Sequence, residues 1–211
     1  MPRLRHLTAG VLAVTATALI AAAPAAASSC VGADIEAEGL GQTELETTVT
    51  CLINEERAKA GIRPVRTNPS LRRAAAGHST EMVQDGFFEH TSPSGRTFID
   101  RISSTGYTRG ARHWLVGENL VWGSGSQSTP QSMVEAWMGS PAHRANLLRE
   151  RFREVGVAAS RGTPFDASET NGVTISSEYG FRAGKRVRPL RRNRRGHQAA
   201  RFRSVGIGQS P

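Results

Sequence analysis

Val173-Thr174-Ile175-Ser176-Ser177-Glu178-Tyr179-Gly180-Phe181 sets Val173, Ile175, Ser177, Tyr179 and Phe181 against Thr174, Ser176 and Glu178. A two-residue alternation of this kind puts one set on each face of an extended strand. Upstream, Val155, Val157 and Ala159 alternate in the same way over residues 154–160, which predicts a second strand. The clear helix signals all lie before these two. Thr129-Pro130 caps and opens a helix lined by Met133, Val134, Trp137 and Met138, and Ser140-Pro141 restarts a shorter one carrying His143 through Leu148. Asn68-Pro69 opens another, with Leu71, Ala75, His78 and Met82 on one stripe and Gly86 as its stop. Thr43-x-x-Glu46 reads as a capping box for a helix bearing Leu45, Val49, Leu52 and Ile53 and ended by Gly61. Between these, a short helix is expected from about Arg96 to Ser104, and residues 114–122 are apolar around the polar Gly117-Glu118-Asn119. Helices early and strands late predict an α+β fold with a small, mostly antiparallel sheet.

The ends of the chain read differently from this body. The 211 residues carry a formal charge of +9, but ten cations and no acid fall in residues 182–211. The remainder holds 17 basic against 18 acidic residues, so the basicity belongs to an appendage and does not mark a nucleic-acid-binding face. Residues 182–211 are expected to be a disordered tail, solvated or held to anionic envelope polymers. At the other end, Arg3, Arg5 and His6 precede an uncharged run from Leu12 to Ala23 and the small residues Pro24-Ala25-Ala26-Ala27-Ser28. Residues 1–27 therefore read as a secretory signal peptide, cleaved near Ala27, and no other stretch is apolar enough to span a membrane. A lipid-anchored Cys30 competes with this reading, but Ala27-Ser28-Ser29-Cys30 lacks the usual Leu before the Cys. The expected organisation is an irregular arm at 28–42, a domain at 43–181 and the basic tail. The expected product is a secreted monomer, with a tail suited to holding it at the envelope.

Export decides how two cysteines are read. Outside a reducing cytosol, Cys30 and Cys51 are most simply one disulfide that pins the arm to the first helix. Several chemistries are excluded by missing motifs: no Gly-x-Ser-x-Gly elbow, no His-Glu-x-x-His helix, no phosphate-binding Gly loop and no Cys-x-x-Cys pair. His78, on the apolar stripe, reads as a core histidine. Trp114, Trp122 and Trp137 read as core, His113 as exposed, Asn119 as a loop-backbone partner and Arg144 as the partner of a nearby acid.

What remains is a series of segments in a fixed order: Asn54-Glu55-Glu56-Arg57-Ala58, His78-Ser79-Thr80-Glu81-Met82, Phe87-Phe88-Glu89-His90-Thr91-Ser92-Pro93, Gly117-Glu118-Asn119, Trp137 through Leu148 and Val155-Gly156-Val157. Over roughly residues 45–181 the chain resembles the bacterial secreted branch of the CAP superfamily: cysteine-rich secretory proteins, antigen 5 and pathogenesis-related proteins. The resemblance implies a three-layer α-β-α sandwich around a small antiparallel sheet, with a cleft on one side. It also implies that His90, Glu118 and His143 meet in that cleft. The family's fourth member, a Glu, meets Ser140 here, and Glu135, two residues before Trp137, is a poor substitute.

Two imidazoles and a carboxylate can hold a divalent metal such as zinc, can act as an acid/base pair without metal, or can simply hydrogen-bond and fix loops. No nucleophile is evident beside them: Ser92 is a sequence neighbour of His90, which does not make it a hydrogen-bond partner. The favoured expectation is a non-enzymatic binding module for a lipid or cell-envelope ligand. The alternative is a metal-assisted hydrolase or peptidase using His90, His143 and Glu118.

Overall fold

The first helix, α1 (Gln42–Lys59), starts without the capping box that its sequence suggests: Gly41 is the N-cap and no side chain caps it. Glu46 turns away from its own helix start. One carboxylate oxygen accepts from Gln42 Nε2 at 2.7 Å and the other from Arg72 Nε at 2.6 Å. A guanidinium on another element is a stronger partner than a backbone amide on its own helix, so the tertiary ion pair takes the carboxylate. The end of α1 is as expected. Gly61 has φ 71°, and the Ile62 amide donates to the Arg57 carbonyl at 3.0 Å.

The coordinates are a computed structural model that describes residues 28–185. After α1 come a two-residue strand β1 (Arg66–Thr67), α2 (Pro69–Asp85), α3 (Phe98–Ser104), β2 (Ala111–Ser124), α4 (Pro130–Gly139), α5 (Pro141–Leu147), β3 (Glu154–Arg161) and β4 (Gly172–Lys185). The Asn68 side chain caps α2 through the amides of Ser70 and Leu71, with Pro69 at the first turn, and Gly86 stops it at φ 68°. Helix α3 has a full capping box between Thr97 and Asp100. The apolar stretch around Gly117-Glu118-Asn119 is the long strand β2, and β4 runs on to Lys185, into the stretch read as tail. There Arg182 lies over the Tyr107 ring and pairs with Glu154 at 3.3 Å. The signal segment and residues 186–211 lie outside the described residues.

The sheet order is β1-β3-β4-β2, antiparallel except where β1 runs parallel to β3. Side-chain alternation gives each face its own core. Val155, Val157, Ile175 and Tyr179 pack with Leu45, Val49, Ile53, Met133 and Trp137 of α1 and α4. On the opposite face, Leu71 and Ala74 of α2 pack with Phe98, Ile102, Tyr107 and Val116. The result is a three-layer α-β-α sandwich. Gly156 permits its closest approach: a Cβ there would lie 2.0 Å from the Arg72 backbone nitrogen at the start of α2. Arg57 of α1 is fully buried without a carboxylate. Its guanidinium donates to the carbonyls of Arg63, Leu147, Arg149 and Phe152, closing the end of α5 onto α1. Trp137 is core as expected, whereas Trp122 is 39% exposed and meets Phe165 edge-to-face.

Cys30 and Cys51 are joined, with Cα atoms 5.8 Å apart. Glu55, one helical turn beyond Cys51, accepts from the Ser28 hydroxyl and from the amide and hydroxyl of Ser29. The arm is thus tied twice to α1. Replacing both cysteines by Ser is expected to cost about 3 kcal/mol, from the chain entropy of the opened loop. Urea titration of the oxidised protein and the double variant checks this, and matching midpoints would refute it.

Candidate functional site

Successive residues of β2 point to opposite faces, so Gly117-Glu118-Asn119 serves both sides of the sheet at once. Glu118 faces α2 and α3. It is buried, and its Oε1 accepts from His90 Nδ1 at 2.7 Å. Its Oε2 accepts from Arg101 Nη2 at 2.7 Å, and His78 Nε2 lies 3.9 Å from the same oxygen. Asn119 faces α5. Its Nδ2 donates to the His143 carbonyl at 3.0 Å, and Asn146 Nδ2 donates to both the Glu118 carbonyl and Asn119 Oδ1. The two turns of α5 are therefore sewn onto β2 beside Glu118, which fixes the backbone of His143.

The loop after α2 brings in His90. Arg101 of α3 holds that loop through the His90 and Arg96 carbonyls and the Ser92 hydroxyl. Ser92 in turn donates to Glu81 at 2.7 Å. His78, fully buried on α2, bonds the Glu89 carbonyl at 2.9 Å and lies 3.5 Å from Glu81. It is a core histidine, as its stripe suggests, and it also abuts the Glu118 carboxylate.

Glu178 completes the buried polar face. It is the cross-strand partner of Glu118 in the β2–β4 register, fully buried, and neither of its carboxyl oxygens has a hydrogen-bond partner among the described residues. Two carboxyls side by side in a low-dielectric face do not both ionise. Burial pushes Glu118 up, but the His90 hydrogen bond and the Arg101 guanidinium outweigh it and hold Glu118 below the usual range. Burial and the Glu118 charge raise Glu178 well above it. Of the two, Glu118 is held toward its charged form and Glu178 toward its neutral one. Burial also lowers His143, and the nearby His90 lowers it further. Burial lowers His78, with Arg101 adding to this and Glu118, Glu81 and the Glu89 carbonyl opposing it.

Of the three residues expected to meet, His90 and Glu118 are bonded directly, whereas the His143 side chain makes no hydrogen bond or ion pair with either among the described residues and is tied to β2 through its carbonyl. Among the described residues, the three do not bring one ligand atom each within 4.8 Å of one another. The group that does is Cys30, Cys51 and Glu55, whose sulfurs are joined in the disulfide. Both Glu118 oxygens are already held, one beside a guanidinium that repels a cation. The set does not fit one zinc ion held by all three. Glu135 lies on α4, bonded to Gln131, and Ser140 caps the turn between α4 and α5; neither takes part. Arg144 forms no ion pair among the described residues, and His113 is exposed. Arg101 and Glu178 carry no sequence signal of a role at the site, and Asn146, though inside the Trp137–Leu148 segment, has no role that its spacing gives. Only the register of two strands could have found Glu178, because its relation to Glu118 lies across the sheet.

A model of the cysteine-rich secretory protein family, CAP, matches residues 51–176. The uncharacterized protein YkwD of Bacillus subtilis is 35% identical over 112 residues, 53% of this chain and 41% of that protein. The uncharacterized membrane protein YlbC of the same organism is 28% identical over 120 residues, 57% of this chain and 33% of that one. The chain thus spans less than half the length of these curated relatives. Among solved structures, an extracellular protein containing an SCP domain from Bacillus anthracis superposes with TM-score 0.53 at 23% identity, covering 65% of this chain and 40% of that one. An outer surface protein of Borrelia burgdorferi gives 0.55 at 21%, covering 68% and 97%. At these identities the likeness is one of fold.

The two glutamates are expected to respond oppositely to amidation. Glu118→Gln leaves Arg101 buried without its counter-charge and should cost about 3–5 kcal/mol. Glu178→Gln replaces the member whose neutral form is favoured and should stay within about 1 kcal/mol at pH 7. Equal losses in chemical denaturation would contradict the assignment of charge. The imidazoles give a second expectation. A histidine whose folded pKa is depressed stabilises fully above its unfolded value, about 6.5, and loses that contribution as pH falls through the folded value. Melting temperature should therefore drop between pH 7 and 5, and His143→Gln should lessen the slope. An unchanged slope in the variant would count against a depressed His143.

Proposed function

From the premise that this chain belongs to the cysteine-rich secretory protein (CAP) family, we propose that it is an exported, non-enzymatic binding module for a lipid or other cell-envelope ligand. The ligand's polar end contacts His90 and His143. The observation that carries the reading is the state of the reactive groups. Glu118 has both oxygens held by His90 and Arg101, and the Ser92 hydroxyl donates to Glu81 and accepts from Arg101. No free nucleophile faces the cleft, and the Glu118 carboxylate is not free to act as a base. His90, by contrast, gives Glu118 its Nδ1 and keeps Nε2 for a ligand, with the neutral His143 opposite. Trp122 shares the Glu118 face of β2 and, with Phe165, offers exposed aromatic surface for an apolar body.

Export rests on the signal-like residues 1–27 and fits the Cys30–Cys51 disulfide, as it fits fold neighbours described as an extracellular and an outer surface protein. No helix among the described residues is long and apolar enough to cross a membrane. The basic stretch beyond Lys185 adds electrostatic attraction to anionic envelope polymers. The hydrolytic alternative, with a metal on His90, Glu118 and His143, would require Glu118 to give up its bond to His90 or Arg101, and no observation favours that.

The test pairs binding with turnover. Mature protein, residues 28–211, is expected to bind fluorescent fatty acid or vesicles of envelope lipid and to leave peptide, ester and glycan panels uncleaved. His143→Ala should weaken the binding by about tenfold, the value of one lost polar contact. Turnover that vanishes in His143→Ala would end the reading, as would lipid binding indifferent to both His90→Ala and His143→Ala.

A further inference from the structure

A groove of about 640 Å³ contains none of His90, Glu118 or His143. It lies at the far edge of the sheet, between α1 and the start of α2, and its floor is β3. β1 covers only the first two residues of that edge, pairing Arg66 with Glu154 and Thr67 with Val155. The Asn68 amide then donates to the Val155 carbonyl at 2.8 Å. Farther along β3, side chains satisfy the edge: Gln42 Nε2 donates to the Ala159 carbonyl at 2.6 Å, and the Ala159 amide donates to Glu46 at 3.4 Å. Val157 lies between Val155 and Ala159. Strand parity turns its N–H and C=O toward the same edge, away from β4, and among the described residues nothing bonds them.

The remaining walls narrow the choice of occupant. Thr47 and Thr50 donate their hydroxyls to carbonyls of their own helix, so the wall offers methyl groups and the Cys51 sulfur more than polar contacts. One end is shut by the Gln42–Glu46–Arg72 bridge from α1 to α2. Arg72 uses only Nε in that bridge. Its side chain is 52% exposed, and Nη1 and Nη2 make no hydrogen bond among the described residues. From Val155 to Ala159 the slot is about 13 Å long, room for a few extended residues. An unmet donor and acceptor on one residue call for a backbone-like partner, and a cation at a closed end calls for a carboxylate.

We propose that this slot binds the free C-terminus of an extended peptide. The peptide continues the row of β1, parallel to β3. The two residues flanking the one beside Val157 bond it, the first accepting from the Val157 N–H and the second donating to its C=O; small side chains lie against Thr47 and Thr50, and the terminal carboxylate meets the Nη groups of Arg72. A fatty acid would supply the carboxylate but leave Val157 unmet, and a glycan would supply no strand. The slot is separate from the His90–His143 cleft, and its failure leaves the reading of that cleft untouched.

The probe is an equimolar library of N-acetylated tetrapeptides of Ala, Val, Ser, Thr and Leu, prepared once with free carboxylates and once with C-terminal amides. Amide shifts of the isotope-labelled mature protein report where each binds. The free-acid library should move the Val157 and Gly156 signals, and the amide library should bind at least about tenfold more weakly, the loss of a charge-assisted pair. Arg72→Gln should abolish the difference between libraries and Arg72→Lys should restore part of it. Thr47→Trp, an exposed position that narrows the slot, should block binding without touching the Arg72–Glu46 pair. The proposal is overturned if neither library shifts Val157, if acid and amide bind alike, or if dodecanoate moves these signals and the peptides do not.

Discussion

A carboxylate taken out of water needs partners that replace its hydration, and the buried face of this sheet is organised around that constraint at Glu118. Arg101 supplies the counter-charge at 2.7 Å and directs its other donors to the His90 loop. The same guanidinium therefore neutralises Glu118 and sets where His90 can stand. Removing the charge from Glu118 would free the loop as well as the ion pair. His78 and Ser92 fill the space around these groups, each bonded to a neighbour other than Glu118. The arrangement keeps one negative charge in the face and prevents a second, because Glu178 across the strand pair is kept protonated by its burial and its charged neighbour.

The alternation of β2 lets this network reach the other side of the sheet. Asn119 follows Glu118 in sequence and points to the opposite face, where it holds the His143 carbonyl. Asn146 bonds both residues' polar groups from α5. A shift of β2 by one residue would put Glu118 into the apolar core of α1 and α4 and Asn119 among the charges. The long register with β4 forbids that slip. The placement of the His90 loop and of the His143 backbone thus follows from one strand register, with α5 fastened to β2 by side-chain amides and α3 by a guanidinium.

Much of this is legible in the sequence where the signal is local. The Asn68-Pro69 and Thr129-Pro130 starts, the Gly61 and Gly86 stops and the alternation of β3 and β4 depend on neighbours a few residues away, and the structure has them. The failures share a cause. Thr43-x-x-Glu46 has the spacing of a capping box, but Arg72 lies 26 residues away and attracts Glu46 more strongly. Trp122 has the composition of a core residue, yet strand parity and the edge of the sheet leave it partly exposed beside Phe165. β2 is hard to recognise as a strand because the polar triplet at its centre breaks the alternation, for the reason that its polar side chains are buried and satisfied. Arg101 and Glu178 carry no local signature at all, since their importance comes from facing Glu118.

The register also relates the open sheet edge to the buried charges. Gly156 stands opposite Glu178, which stands opposite Glu118; one residue on, Val157 stands opposite Ser177, which stands opposite Asn119. The unmet main-chain groups at Val157 and the residue that holds His143 are therefore on one transverse row, two strand spacings or about 10 Å apart. Gly156 cannot carry a side chain, because α2 begins directly above it, and that same contact puts Arg72 over the edge where it can bridge to Glu46. A closely packed α2 thus does two things by one geometry. It seals the charged face that holds Glu118, and it closes the end of the slot beside β3. Hydrogen-bonded neighbours on a sheet move little with respect to one another, so the spacing between Val157 and Asn119 is set by the strands between them.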